Sequence, residues 1–276
     1  MRFENLSSEG LDYLPCRYGA SKLMFRGPRK KLQAPYIAVL GGTETYGKFI
    51  ETPLSEVLQQ ATGVTTVNLG HLNAGIDAFH KDAVVLEICN RAKVVVIQIM
   101  GPQNMSNRFY TVHPRRNDRF VKASKFLHSL YRDIDFTQFH YTRHLLSALR
   151  AQSAERYGMV VEELQAGWLS RMRMLVSEIQ TDVCLLWMSD RAPDENGEFD
   201  PLGHEPLFVS RAMLDDIGCD VSEVVEVVAT RDEIDAGRDR MIFSPLEEPV
   251  ASEMLGPVVH ETAARLLQEK LGRYLG

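Results

Sequence analysis

Features that mark specialised classes of protein are scarce in this sequence. Its 276 residues include only four cysteines, at positions 16, 89, 184 and 219. They are too few and too widely spaced for a disulfide framework or a paired-cysteine metal site. We therefore expect reduced, buried thiols.

Long apolar runs and an excess of positive charge are lacking as well. The longest apolar run, residues 94–100, is far shorter than the roughly 20 residues that span a bilayer. The first residues include an acid and no apolar stretch. The net charge is −6, with 31 Lys and Arg against 37 Asp and Glu, which argues against a nucleic-acid-binding chain. We expect a cytoplasmic protein that binds neither membranes nor nucleic acid. The oligomeric state stays open.

Short apolar segments alternate with helical patterns along the chain. Segments closed by glycine or polar residues predict buried strands at 36–40, 65–69, 94–100 and 183–188, with a less regular fifth at 224–228. Apolar residues at helical spacing predict helices at 53–61, 81–92, 120–131, 161–179, 206–217 and 257–271. Alternation of this kind is typical of a parallel sheet covered by helices on both faces. The predicted fold class is therefore α/β, with three α/β/α layers.

The domain organisation follows from the same pattern. We expect one α/β domain over residues 1–276, because the length suits a single large core and no repeat is visible. Residues 1–35 precede the first predicted strand as an N-terminal extension. Residues from about 105 to 180 form a helix-rich insertion between predicted strands.

The residues that follow the strands are the candidates for function. In an open α/β sheet, ligands bind beyond the carboxyl ends of the strands. The segments at this edge are 41–47, 70–75 and 101–107, together with 256–260 at the start of the last predicted helix.

This ordered set resembles the sequence blocks of the SGNH, or GDSL-type, hydrolase superfamily. Residues that fall on the superfamily's pattern are Gly41, Thr45, Gly47, Gly70 and His260. The resemblance implies a flavodoxin-like parallel sheet and hydrolysis of an ester by a hydroxyl nucleophile. Over its whole length, the chain also resembles a bacterial family of unknown function that is distantly related to this superfamily.

The resemblance also implies a role for each matching position. Thr43 occupies the place of the nucleophilic serine, and His260 the place of the base that takes its proton. The oxyanion donors would be the N–H of Gly70 and the side-chain amide of Asn104, with Gln103 as a competing donor because Asn104 lies one residue late.

Two of the superfamily's catalytic groups are replaced in this chain. Gly42 and Thr43 stand where the pattern has Asp and Ser, and the extra methyl group of threonine crowds the attacking hydroxyl. Pro257 stands where the acid partner of the histidine belongs, and a catalytic histidine without its acid can lose about four orders of magnitude in rate. Glu253 and Glu261 are possible substitutes.

Arginine is concentrated directly after the third predicted strand. Four of the twelve residues from 108 to 119 are arginines, namely Arg108, Arg115, Arg116 and Arg119. Guanidinium groups bind carboxylates, sulfates and phosphates in a bidentate way, so this segment is a candidate substrate clamp. The alternative is a solvated loop whose arginines pair with nearby acids.

Taken together, these residues predict an esterase or acyl-transfer protein without cofactor or metal, acting on a polar, anionic or sugar ester. One alternative is a non-catalytic binding module for an anionic glycan or a nucleotide sugar. A second is a phosphate-binding loop, because residues 42–48 match G-x-x-x-x-G-K. Phe49 in place of Ser or Thr and the acidic Glu44 argue against that loop.

Overall fold

The computed structural model describes residues 10–33, 35–193, 203 and 205–275. Seven strands lie within this part of the chain: β1 (Tyr36–Gly41), β2 (Thr65–Gly70), β3 (Val94–Gln98), β4 (Tyr110–His113), β5 (Arg116–Ala123), β6 (Asp182–Ser189) and β7 (Glu223–Val228). Five of them form one parallel sheet in the order β2-β1-β3-β6-β7. This is the strand order of flavodoxin-like sheets, and it confirms the predicted fold class.

Helices cover both faces of the sheet. The described helices are α1 (Thr43–Tyr46), α2 (Leu54–Thr62), α3 (Asp77–His80), α4 (Ala83–Asn90), α5 (Lys125–Leu130), α6 (Thr142–Gln152), α7 (Ala154–Glu178), α8 (Arg211–Gly218), α9 (Arg231–Arg238), α10 (Glu248–Ala251) and α11 (Pro257–Leu275). Apolar residues of α2 and α11 pack on one face, in a cluster with Ile37 and Val39 of β1. Residues of α4, α7 and α8 pack on the other, with Ala38 and Leu40. Successive residues of β1 thus fill two different cores, as a strand buried on both faces requires.

Residues after β3 build a third apolar cluster beyond the carboxyl edge of the sheet. It joins the antiparallel β4–β5 hairpin to α5, α6 and the first half of α7. The prediction of a helix over 120–131 was wrong in its first half, because residues to Ala123 pair with β4 and α5 begins only at Lys125. Phe120 is buried while Val121 is about half exposed, so the apolar residues here follow a strand period.

The segment before β1 packs against the sheet. Tyr18, Leu23 and Phe25 belong to the same apolar cluster as β1, and Cys16 and Phe25 form an isolated antiparallel bridge. Residues 1–9 and 34 of the predicted N-terminal extension lie outside the described part. Cys89 and Cys184 are buried, Cys16 is half-buried, and Cys219 is exposed, so the expectation of buried thiols was wrong for Cys219.

No helix in the described ranges has the length and apolar character needed to cross a membrane.

Candidate functional site

The turn between β1 and α1 carries Thr43 and is held by polar side chains of the neighbouring strands. Gln98, the last residue of β3, accepts hydrogen bonds at Oε1 from the N–H of Gly42 (2.9 Å) and from Oγ1 of Thr45 (3.1 Å). Asn68 of β2 donates from Nδ2 to the carbonyl oxygen of Thr45 at 2.8 Å. These bonds place the first turn of α1 directly beyond the carboxyl ends of three adjacent strands.

A buried arginine from the N-terminal segment completes this support. The guanidinium of Arg26 donates to the carbonyl oxygens of Tyr46, Gly47 and Glu51, and only 6% of the residue is exposed. Because its polar contacts are carbonyl groups at the end of α1 and beyond, Arg26 fixes where that short helix ends. The same charge lies close enough to His260 to influence its ionisation.

Gly70 meets α1 through a close backbone approach. A Cβ atom on Gly70 would lie 2.3 Å from the backbone nitrogen of Tyr46, so only glycine fits between β2 and α1. Its N–H donates to Oδ1 of Asn68 at 2.8 Å. The amide that the sequence assigned to an oxyanion hole is therefore already engaged.

Thr43 and Asn104 are brought together through Asn73. The Thr43 Oγ1 atom accepts from the Asn73 N–H at 2.9 Å and donates to Asn73 Oδ1 at 3.3 Å. Asn104 donates from Nδ2 to the Asn73 carbonyl oxygen at 3.2 Å and accepts at Oδ1 from the hydroxyl of Thr142 at 2.9 Å. Asn73 has a φ of 54°, a left-handed conformation that asparagine tolerates better than most residues. Thr43 as a whole is half-buried at this junction.

His260 faces Glu44, the residue next to Thr43. The imidazole accepts at Nδ1 from the N–H of Leu54 at 2.9 Å, and its Nε2 atom lies 4.0 Å from Oε2 of Glu44. Both facing atoms are buried, and neither has a hydrogen-bond partner within the described residues. The His260 side chain is fully buried, whereas 13% of the Glu44 side chain is exposed. Orphaned buried polar atoms are rare and mark functional sites in many proteins.

Burial shifts the pKa values of Glu44 and His260 in opposite directions. Burial raises the pKa of Glu44 to about 8, helped by the carboxylates of Glu205 and Asp190 and opposed by a hydrogen bond from the Leu255 backbone. Burial, and secondarily the positive charge of Arg26, lowers the pKa of His260 to about 3. At neutral pH the imidazole is therefore neutral and the carboxyl is largely protonated. Paired groups whose pKa values are pushed apart are typical of acid–base sites.

Gln103 lies at the same edge and also has an unpartnered atom. Its Nε2 atom donates to Oε1 of Glu205 at 2.8 Å, and the same Glu205 oxygen accepts from Arg143 at 2.9 Å. The buried Oε1 atom of Gln103 has no partner within the described residues. Its amide nitrogen is thus engaged by Glu205, while its carbonyl oxygen is unpaired.

The two suggested substitutes for the missing acid have other environments. Glu261 pairs with Arg240 at 2.5 Å, which lowers the pKa of its carboxyl. Glu253 is exposed. Pro257 begins α11, where its missing N–H leaves no helical bond unmade. The acid that the structure places against His260 is therefore Glu44.

The arginine-rich segment forms the β4–β5 hairpin. Arg108 pairs with Glu163, its Nε atom lying 2.7 Å from Oε2, and the Arg119 guanidinium lies 4.1 Å from the ring centre of Tyr141. Arg115 and Arg116 are exposed at the hairpin tip. Nε2 of His71 lies 2.8 Å from the Arg115 carbonyl oxygen, which holds this tip beside the loop that follows β2. Two of the four predicted clamp residues are thus engaged within the protein, and two present their side chains to solvent.

The glycine-bounded loop 42–48 does not have the geometry of a phosphate cradle. The N–H groups of Gly42, Tyr46 and Gly47 donate to Gln98 or to backbone carbonyls. The Lys48 ammonium lies 4.4 Å from the ring centre of Phe49. Within the described ranges, no three His, Cys, Asp or Glu side chains are grouped to hold a metal ion.

The sequence did not identify four residues as part of this site: Glu44, Asn68, Asn73 and Gln98. For Asn68 and Gln98 a signal was present, because each is a polar residue inside an otherwise apolar strand. Glu44 was considered only as an obstacle to phosphate. Its proximity to His260 is set by the packing of α11 near α1, which the sequence does not display.

The fold and this site together define an α/β/α protein with polar side chains gathered at the carboxyl edge of its sheet. Residues 1–275 match the family described as Domain of unknown function (DUF6473), and the chain belongs to this family. No curated protein matches it.

Two solved structures are similar to the chain at low identity. The lipase Lip_vut3 from a goat rumen metagenome shares 10% identity with a TM-score of 0.43, covering 86% of this chain and 97% of that one. BT4096, a gut microbial diltiazem-metabolizing enzyme, shares 10% identity with a TM-score of 0.40, covering 89% of this chain and 48% of that one.

Proposed function

We propose that the carboxyl edge of the sheet is the active site of a hydrolase or acyl-transfer enzyme that acts on acyl esters. One observation carries the proposal: half-buried Thr43 and Glu44 are consecutive residues of the short helix α1, and Glu44 faces buried His260 through atoms that have no hydrogen-bond partner among the described residues. A hydroxyl nucleophile next to a proton-transferring pair is the minimum that acyl transfer requires.

Thr43 is the attacking group in this proposal. Its hydroxyl oxygen bonds to the acyl carbon and its proton passes to the acid–base pair, so that the ester's alcohol can leave with a proton. Water then releases the acyl group from Thr43. Side-chain amides at this edge, those of Asn104 and Gln103, supply candidate donors for the oxyanion if substrate replaces their present partners.

The proposed substrate is a small polar or glycan ester with an anionic group. Support comes from the exposed guanidinium groups of Arg115 and Arg116, which lie on the hairpin whose tip His71 holds near the site. A bidentate contact with a carboxylate or sulfate would orient the ester while adding no chemistry of its own.

The assignment can be tested with p-nitrophenyl acetate and acetylated sugars. We expect the native chain to hydrolyse them, Thr43→Val to lose at least about 100-fold in kcat/KM, and Thr43→Ser to retain or exceed native turnover. Thr111→Val is the matched control, because Thr111 is a half-buried threonine on β4. Equal activity of native chain and Thr43→Val would rule out this nucleophile, and no hydrolysis by the native chain would rule out the activity.

A binding module for an anionic glycan or nucleotide sugar is the second candidate. It is favoured by the engaged state of the Gly70 and Asn104 amides, which leaves no ready oxyanion hole. UDP-glucuronic acid is a suitable probe for calorimetry. Binding that persists in Thr43→Val but is lost when Arg115 and Arg116 are both changed to Gln, with no hydrolysis by any form, would favour this function over the first.

A further inference from the structure

The direction of the His260 ring decides which member of the pair can accept a proton. Nδ1 is occupied by the N–H of Leu54 at 2.9 Å, so the neutral ring carries its own proton on Nε2. That Nε2–H points toward Glu44 Oε2 at 4.0 Å. A ring nitrogen that already holds a proton is a donor, and it cannot take another proton from a substrate or nucleophile.

The solvent exposure of the two side chains favours Glu44 as well. The His260 side chain is completely buried, while 13% of the Glu44 side chain reaches the surface. Glu44 also follows Thr43 directly in α1, whereas His260 belongs to α11. Of the two groups, Glu44 is therefore the one that shares a helix with Thr43 and reaches the surface.

We propose that Glu44, and not His260, is the group that exchanges protons with Thr43 and the leaving alcohol, and that His260 is a positioning residue for Glu44. This inference rests on the proposed acyl transfer. It assigns the roles of the missing acid and of the base to a single carboxyl that faces the imidazole at 4.0 Å.

Glu44 passes one proton back and forth during acyl transfer. The Thr43 oxygen forms a bond to the acyl carbon while its proton moves to the Glu44 carboxylate, directly or through one water molecule, and the carbonyl electron pair moves to its oxygen. When that pair returns, the bond to the alcohol oxygen breaks and the alcohol takes the proton from Glu44. A water molecule then attacks the acyl carbon and gives a proton to Glu44; as the bond between the acyl carbon and the Thr43 oxygen breaks, that oxygen takes the proton back from Glu44, which releases the acid and restores the hydroxyl and the carboxylate.

Charged groups on every side of Glu44 affect when it can act. His260 on α11 faces it directly, Asp190 follows β6, Glu205 precedes α8, and Arg26 of the N-terminal segment acts on the imidazole. The carboxyl must be ionised to accept a proton. Native kcat/KM should therefore rise with pH with a midpoint near the Glu44 pKa of about 8, whereas a His260 base would be active from about pH 3 upward.

Variants of Glu44 and of His260 distinguish which of the two residues accepts the proton. Glu44→Gln keeps the shape but cannot accept a proton, so kcat should fall by at least about 100-fold and the alkaline midpoint should disappear. His260→Gln keeps a polar N–H donor at this position but can never be a base, so kcat should fall by about tenfold or less, with a shifted midpoint. Glu44→Asp should restore part of the activity lost in Glu44→Gln.

Controls keep the outcomes distinct. Glu51→Gln, at an exposed glutamate in the loop before α2, should leave the pH profile of the native chain intact. An active Glu44→Gln together with an inactive His260→Gln would overturn this inference and leave the proposed function standing. Loss of ester hydrolysis only in Thr43→Val would do the same, and a native chain that hydrolyses no ester would overturn both. The native pH profile decides the matter even if a variant fails to fold.

Discussion

The Nε2 atom of His260 lies 4.0 Å from the Oε2 atom of Glu44, and both atoms are buried with no other partner within the described ranges. The two residues are far apart in the chain, and the packing of α11 near α1 brings them together. Their ionisation should be visible in the stability of the fold as well as in catalysis.

The pH dependence of stability provides the first prediction. Glu44 has an ordinary pKa of 4.5 and a folded pKa of about 8, so between these values the folded chain keeps a proton that the unfolded chain has lost. The free energy of unfolding should therefore fall as pH rises through this window, by up to about 1.4 kcal/mol per pH unit. His260 acts in the opposite sense between its folded pKa of about 3 and its ordinary 6.5.

Of these two residues, only Glu44 changes the free energy of unfolding between pH 6.5 and 8. Stability should therefore be measured in that range. Denaturant unfolding of the native chain should show a falling stability there, and Glu44→Gln should show a flatter curve. Glu51→Gln serves as the control. Parallel curves for native chain and Glu44→Gln would mean that Glu44 is ionised at neutral pH.

Gly70 should be intolerant of any side chain. The Cβ atom of Gly70→Ala would lie 2.3 Å from the Tyr46 nitrogen and 2.6 Å from the Thr45 carbonyl carbon, both backbone atoms that cannot rotate away. We expect a loss of about 3 kcal/mol in the free energy of unfolding. Gly272→Ala, a helical glycine whose Cβ would meet open space, should instead gain up to about 1 kcal/mol. Thermal melting of the two variants checks this contrast.

Arg26 should be needed for the stability of the α1 region. Arg26→Met keeps much of the buried stem but removes the hydrogen bonds to Tyr46, Gly47 and Glu51, at an expected cost of about 2–4 kcal/mol. Loss of the nearby positive charge should also raise the pKa of His260, which is measurable by NMR titration. Arg132→Met, at an exposed position, should stay within about 0.5 kcal/mol of the native chain.

The four cysteines should react with a thiol reagent at different rates. Burial raises the pKa of Cys89 and of Cys184 to about 12, so neither should react with Ellman's reagent until the chain unfolds. Cys219 is exposed and should react first, and Cys16, half-buried and with a raised pKa, more slowly. Cys219→Ser should remove the fast phase alone. A fast phase that survives this change would mean that one of the buried thiols is accessible in the folded chain.

Four of the sheet strands could be predicted clearly because each is an apolar segment that ends in a turn and is buried on both faces; β7, whose second half alternates buried and exposed residues, gave a less regular pattern. The β4–β5 hairpin could not be predicted, because its second strand is largely polar. Asn117 within it is buried, and its side chain accepts from the N–H of Gly75 and donates to the carbonyl oxygen of His113. A contact of that kind, between segments distant in the chain, has no local signature.

The candidate site divides in a similar way. Thr43, Gly70, Asn104 and His260 could be located from their positions after strands and at the start of a helix. Their contacts could not be predicted from the sequence, because tertiary packing determines the partners Asn73, Asn68, Thr142 and Glu44.

The helix α1 has four residues, too few to be stable by itself. Its shape is imposed by Gln98, Asn68 and Arg26, which belong to three separate parts of the chain. Residues 41–47 grafted onto another scaffold would therefore keep their sequence but would not adopt this conformation. A designer wishing to move this chemistry would have to move two strand ends and a buried arginine along with it.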